Sequence, residues 1–169
     1  MTASDSIDVG EAGGFVWLRI NGKGSFLCSP QVKEYVEARL QEGSTRFVID
    51  LTGCNAMDST FMGTLAGIAI RLGKRTGEKL QVAAASDRNR QSLQDLGLDL
   101  LMDIDPENAE WRRELATIEE CLEPWGEGTA GAGAAHVLEA HQRLCEANDE
   151  NAKKFATVLD VLEQEARGE

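Results

Sequence analysis

The hydrophobic and polar positions of this 169-residue chain follow one pattern up to about residue 106 and another beyond it. In the first part, short apolar runs alternate with stretches of helical period. Residues 6–9 and 15–20 read as strands, and Gly10 with Gly13-Gly14 beside them suits an initial hairpin. Ser29-Pro30 opens a helix, with Ser as N-cap and Pro in the first turn. Val32, Tyr35, Val36, Ala38 and Leu40 lie mainly on one face of it, and Gly43 ends it. Residues 47–51 are apolar except for Asp50, the pattern of a central strand covered on both faces. A helix is predicted over 59–74, where Gly63 and Gly67 share a face and permit close packing against the sheet. Each glycine costs about 1 kcal/mol of helix propensity, so its presence points to packing. Residues 79–85 give a further strand, 86–96 a helix stopped by Gly97, and 100–104 a short last strand before Pro106. Strands alternating with helices imply an α/β unit with a mixed, largely parallel sheet.

Beyond residue 106 the strand pattern stops. Residues 107–122 read as a helix whose Trp111, Leu115, Ile118 and Leu122 recur every three or four positions, a stripe expected to pack on the sheet domain. Residues 124–135 hold Gly126, Gly128, Gly131 and Gly133 and have the composition of a flexible linker. A last helix is predicted over 134–166. Its Leu138, His141, Cys145, Asn148, Ala152, Phe155, Leu159 and Leu162 form a heptad-like seam with polar members. Such a helix either folds back on its own domain, joins a homodimer or docks on another protein. The expected organisation is an α/β domain over 1–106, a packing helix over 107–123, a linker over 124–135 and an acidic amphipathic helix over 136–169.

Charge narrows the class of partner. The formal net charge is -12, and residues 107–169 carry 15 acidic against 6 basic residues where 1–106 carry 14 against 11. So acidic a surface argues against nucleic acid and anionic membranes and accommodates a basic protein partner. No apolar run approaches the length of a membrane span, and residues 1–14 lack the charged-then-apolar pattern of a secretory signal. Cys28, Cys54, Cys121 and Cys145 are scattered with no C-x-x-C pair, so no zinc site is expected and a cytoplasmic, reduced setting is the default. No cofactor motif is present: the glycines at 10, 13, 14, 22 and 24 do not make a G-x-G-x-x-G opening a helix.

The candidate chemistry sits at the junction of the 47–51 strand and the 59–74 helix, in Met57-Asp58-Ser59-Thr60. A hydroxyl there faces free backbone N–H groups and the positive end of the helix dipole, an environment that favours an anion such as phosphate. The succession of strand, Asp-Leu-Thr-Gly-Cys-Asn loop, Met-Asp-Ser-Thr and Phe-Met-Gly-Thr-Leu-Ala-Gly-Ile resembles the STAS family, strongly over 46–75 and more loosely over 5–106. The resemblance implies a STAS-like sheet packed with helices, with a C-terminal helical extension added. It implies an anti-sigma factor antagonist in which Ser59 is phosphorylated by a serine kinase that is also the anti-sigma factor, a metal-dependent phosphatase reversing the step. Asp58, Ser59, Thr60, Phe61 and Met62 would then form the partner-binding surface. Phe61 stands where many members of the family have Gly, so the docking surface is expected to be narrowed or redirected there.

Other readings of the same residues are weaker. Ser59 as a helix cap alone would satisfy an orphan N–H without any signalling role. A constitutive scaffold, or an accessory subunit of a stressosome-like particle or a lipid transporter, would use the fold without a switch. Enzyme readings fall on missing residues. Asp50-Leu51-Thr52 lacks the second acid of the haloacid-dehalogenase pattern, and a phospho-receiver would need an acidic pair after the first strand and a Lys-Pro after a later one, neither of which is there. His136 and His141, five apart, do not make an i,i+4 metal pair and are expected in solvent or at an interface. Cys54 has no histidine before residue 136 to activate it and reads as a structural thiol.

Overall fold

The computed structural model describes residues 5–126 and 133–168. The chain opens with a hairpin of β1 (Ser6–Ala12) and β2 (Phe15–Gly24), each longer than its apolar core predicts. The turn between them is the pair Gly13-Gly14 with φ of 59° and 83°, a two-residue turn that only glycine adopts without strain. Helix α1 (Ser29–Gln41) follows, then β3 (Phe47–Asp50), β4 (Cys54–Met57) and helix α2 (Ser59–Thr76). Strand β5 (Leu80–Ala83), helix α3 (Asp87–Asp95), a 3-10 turn and β6 (Met102–Ile104) complete the alternation. The described residues build a seven-stranded sheet in the order β6-β5-β3-β2-β1-β7, where β7 is the two-residue Glu123–Pro124, with β4 pairing β2 off this path. The pairs β2–β3, β2–β4, β3–β5 and β5–β6 are parallel and the pairs made by β1 antiparallel, so the sheet is mixed and largely parallel.

Both sheet faces are covered, and the pleat of β2 divides its side chains between them. Val16, Leu18 and Ile20 enter the main core with Phe47, Ile49, Leu65, Leu72 and Val82. Phe15 and Trp17 enter a smaller cluster with Val48, Ala83, Trp111 and Ile118, where the Trp17 and Trp111 rings meet edge to face at 5.7 Å.

Several local expectations are corrected. Ser29 does not cap α1: Cys28 occupies that position, and the Ser29 hydroxyl, inside the first turn, donates to the Ser25 carbonyl at 2.7 Å. Residues 54–57, expected as loop, form β4, because the backbone from Gly22 to Gly24 offers them a parallel partner. The helix expected over 107–122 begins as a 3-10 turn, Glu110–Glu114, and is α-helical only in α4 (Leu115–Cys121). Its stripe is therefore broken: Trp111 and Ile118 are buried but Leu115 is 40% exposed. Residues 123 and 124 then form β7, two residues paired with the outer edge of β1.

The single helix expected over 134–166 is three: α5 (Ala134–Ala147), α6 (Asp149–Lys154) and α7 (Ala156–Gly168). The break follows from local chemistry. Asn148 leaves helical geometry at φ -157° and its side chain accepts from the Glu150 N–H, capping α6 where the seam was to continue. Of the three fates expected for this segment the structure has the first, α5 lying along α2 of its own chain. Residues 127–132 of the expected linker lie outside the described residues.

Candidate functional site

Strand β4 carries the chain to Asp58, whose N–H donates to the Gly24 carbonyl at 2.9 Å. Asp58 is the N-cap of α2: its Oδ1 accepts from the Phe61 N–H at 2.8 Å and its Oδ2 from the Phe26 N–H at 2.9 Å. One carboxylate thus fixes both the helix start and the loop after β2. The capping role considered for Ser59 belongs to Asp58, and Ser59 stands one residue inside the helix with its hydroxyl free for another use.

That hydroxyl lies 2.9 Å from Nε2 of His141 on α5. The histidine is 3% exposed, its Nδ1 is 2.8 Å from the Val137 carbonyl, and its ring meets Phe155 edge-on at 5.0 Å. A carbonyl only accepts, so Nδ1 carries a proton, and in the neutral ring Nε2 accepts from the Ser59 O–H. A second histidine repeats the theme one turn along. Thr64 donates its hydroxyl proton to the Thr60 carbonyl at 2.9 Å, so its oxygen accepts from His136 Nε2 at 3.3 Å. Burial, with Lys33 acting in the same direction, holds the His136 imidazole below its ordinary pKa, while Glu139 opposes the shift.

The glycines explain how α5 comes so close. A Cβ added to Gly63 would stand 2.1 Å from the Ala140 carbonyl oxygen, and one on Gly67 3.1 Å from Arg143 Cγ. The packing reason expected for these glycines is therefore real, but their neighbour is α5 and not the sheet. A cleft of about 390 Å³ opens beside this contact, between α1, α2 and α5. Its charged walls are paired, Lys33 with Glu139 at 2.8 Å and Arg71 with Glu37 at 2.9 Å.

The remaining residues of the expected surface divide. Asp58 and Ser59 are half-buried, whereas Thr60 is 5% exposed, Phe61 0% and Met62 8%. The Phe61 ring lies under the surface against Gly24, where an added Cβ would meet Cδ2 at 2.8 Å. Phe61 thus lies beneath the start of α2 and does not line its surface, contrary to the expectation that placed it there. His136 and His141, whose spacing excludes an i,i+4 metal pair and which are expected in solvent or at an interface, lie at an interface within the chain, where both reach α2, a pairing that no local spacing signals.

The groups behind the enzyme readings are otherwise engaged. Asp50 is 1% exposed on the Trp17 face of the sheet. Its Oδ2 accepts from Trp17 Nε1 at 2.9 Å and Arg19 Nε at 3.0 Å, and its Oδ1 from the Thr52 N–H at 2.8 Å. Arg19 in turn binds Glu119 of α4 with two nitrogens, an interaction that raises the guanidinium pKa and lowers that of Glu119. Cys54 is buried and burial pushes its thiol pKa up, away from the reactive thiolate. Burial likewise takes the Cys28 thiol to about 11.

A family model described as STAS domain matches residues 6–110, a span that ends before α5 begins. Solved structures share the fold. An anti-sigma factor antagonist from Mycobacterium paratuberculosis aligns with TM-score 0.56 and 22% identity over 70% of this chain and 99% of that one. A putative anti-sigma factor antagonist from Thermotoga maritima aligns with TM-score 0.57 and 17% identity over 65% and 94%. The anti-sigma factor antagonist SpoIIAA in its unphosphorylated form aligns with TM-score 0.52 and 15% identity over 68% and 98%. At these identities the likeness is one of fold. Among curated protein sequences none matches this chain.

Proposed function

The chain belongs to the STAS domain family, and from that premise we propose that it is a phosphorylation-switched, protein-binding regulator similar to an anti-sigma factor antagonist, with Ser59 as the phosphoacceptor. The observation that carries this reading is the place of Ser59: a hydroxyl in the first turn of α2, half-buried, directly after a capping Asp58 that fixes the loop beside it. A phosphoryl group there adds about -1.5 to -2 charges at a point where the helix dipole favours an anion and where a docking partner would feel it. That solved neighbours include anti-sigma factor antagonists, one of them in an unphosphorylated form, supports the reading. The partners are then a serine kinase that doubles as the anti-sigma factor and a phosphoserine phosphatase, in a cytoplasmic setting that suits four free cysteines. No catalytic role is proposed for the chain, since Asp50 and Cys54 are committed to the fold.

Incubation with a native lysate and ATP, followed by phosphopeptide mapping, should find the modification on Ser59 with Thr60 a minor site at most; modification confined to residues 133–169 would refute it. Ser59→Ala should retain the partner captured from that lysate and Ser59→Asp should weaken it, read by titration calorimetry with the recovered partner. The second reading, a constitutive scaffold, draws on the bond between Ser59 and the buried His141, which ties up the hydroxyl in the closed chain. It expects an unmodified bait and equal affinities of the two variants.

A further inference from the structure

The surface of α2 that carries Ser59 is already occupied. Where a partner would dock, α5 lies with Ala140 against Gly63, Arg143 against Gly67, His141 on the Ser59 hydroxyl and His136 on that of Thr64. The fit at Gly63 is closer than any side chain allows, since an added Cβ would stand 2.5 Å from the Ala140 carbonyl carbon. This face of α2 is thus shaped to receive a helix with a small residue at its centre and nitrogen-bearing rings on either side. The occupant comes from beyond the span matched by the family model, which ends at residue 110.

We propose that α5 is a displaceable intramolecular occupant of the Ser59 surface, so that an external helix and the kinase reach Ser59 only when α5 leaves. The inference rests on the reading of Ser59 as docking and modification site. Its physical basis is exclusion: two helices cannot both bring backbone to within contact of Gly63. A partner that binds only the open form shifts the population toward release according to its concentration relative to its Kd, and α5 weakens that partner's apparent affinity by the fraction of the chain that is open. Release has opposing terms: the two side-chain hydrogen bonds are each of small net worth because both groups regain water, whereas Leu144 of α5, fully buried in the main core, is returned to water.

The test uses the full-length chain. Ala140→Glu puts a carboxylate into a contact with no room for it and leaves the sheet domain untouched. Hydrogen exchange read by mass spectrometry should speed by at least about tenfold in the peptides covering residues 59–67 and 134–147, while those of β3 and β5 keep their protection. His141→Ala, which leaves the backbone contact in place, should produce a smaller change in the same peptides. A synthetic peptide of residues 133–154, added in trans to the Ala140→Glu chain, should restore protection at 59–67; the same peptide carrying Ala140→Glu should not.

Loss of protection throughout β3 and β5 would mean that α5 completes the core, and would overturn the proposal. So would unchanged exchange at 59–67, or failure of the peptide to restore it. Protection that rises with protein concentration would assign the occupant to a second copy and equally overturn the intramolecular form. The kinase arm is separate: native lysate and ATP should modify Ser59 faster in Ala140→Glu than in the unaltered chain. If Ser59 is modified in neither while the exchange results hold, the phosphoacceptor reading fails and the displaceable helix stands.

Discussion

Helix α2 presents two faces that are held in different ways. Toward the main core it turns Phe61, Leu65, Ile68 and Leu72, none more than 5% exposed. Toward α5 it turns Ser59, Gly63, Thr64 and Gly67, a row of hydroxyls and glycines. The first face is stabilised by apolar area removed from water, at about 25 cal/mol per Å², with no polar group to satisfy on release. The second gains close van der Waals contact and hydrogen bonds that water replaces almost in full, with Leu144 of α5 adding a fully buried apolar side chain to the main core. One helix therefore has a face built to stay packed and a face built to exchange partners.

The largest effect should come from the core face. Leu65→Ala is expected to lower the stability of the whole chain by about 2–5 kcal/mol through lost burial and a residual cavity. Denaturant unfolding followed by circular dichroism reads it, and a loss smaller than that of any variant on the α5 face would break the comparison.

Substitution of the glycines sharpens it. Gly63→Leu meets backbone and should destabilise α5 docking by about 1–3 kcal/mol of overpacking, more than the roughly 1 kcal/mol gained in helix propensity. Gly67→Leu meets only the Arg143 side chain, which can swing aside, so its net change should stay within about 1 kcal/mol. Amide exchange of residues 134–147 in the two variants separates them, and equal effects would show that α5 does not rest on Gly63.

His141→Ala removes the bond to Ser59 and the contact with Phe155, for an expected loss of about 1 kcal/mol confined to the α5 contact. An unchanged exchange rate over residues 134–147 would show that the histidine is carried by the contact and does not support it.

The smallest effect is that of pH. The folded pKa of His136 is depressed, so below about pH 6.5, the ordinary imidazole value, the unfolded chain takes up a proton more readily than the folded one. Stability from the neutral form is present above that value and is lost as pH falls toward the folded pKa. Docking of α5 should weaken across that window, and His136→Gln should flatten the dependence. A midpoint of thermal unfolding that rises as pH falls there would contradict the sign.

The order of elements up to β6, β4 excepted, was legible because it rests on local signals. The Gly13-Gly14 turn, the apolar run of β3, the Ser86 cap of α3 and the stop at Gly97 act over a few residues and need no partner to be recognised. The placing of Ser59 at the start of α2 came from the same kind of signal, and Asp58 could be read as its neighbour though not as the cap. What failed locally failed where a partner decides. Strand β4 exists because β2 lies beside it, and β7 because β1 does.

Amino-acid order alone determined the α/β alternation, the acidic tail and the hydroxyl at a helix start, since propensity, periodicity and turn chemistry are properties of short segments. Tertiary structure decided what covers that hydroxyl. Ser59 and His141 are 82 positions apart, and the seam that carries His141 is broken at Asn148 by a side-chain cap before it can act as one helix. Nothing in the spacing of either residue points to the other. The glycines at 63 and 67 announce a close neighbour without saying which, because a missing side chain specifies a distance and leaves the identity of what fills it to the packing of the whole chain.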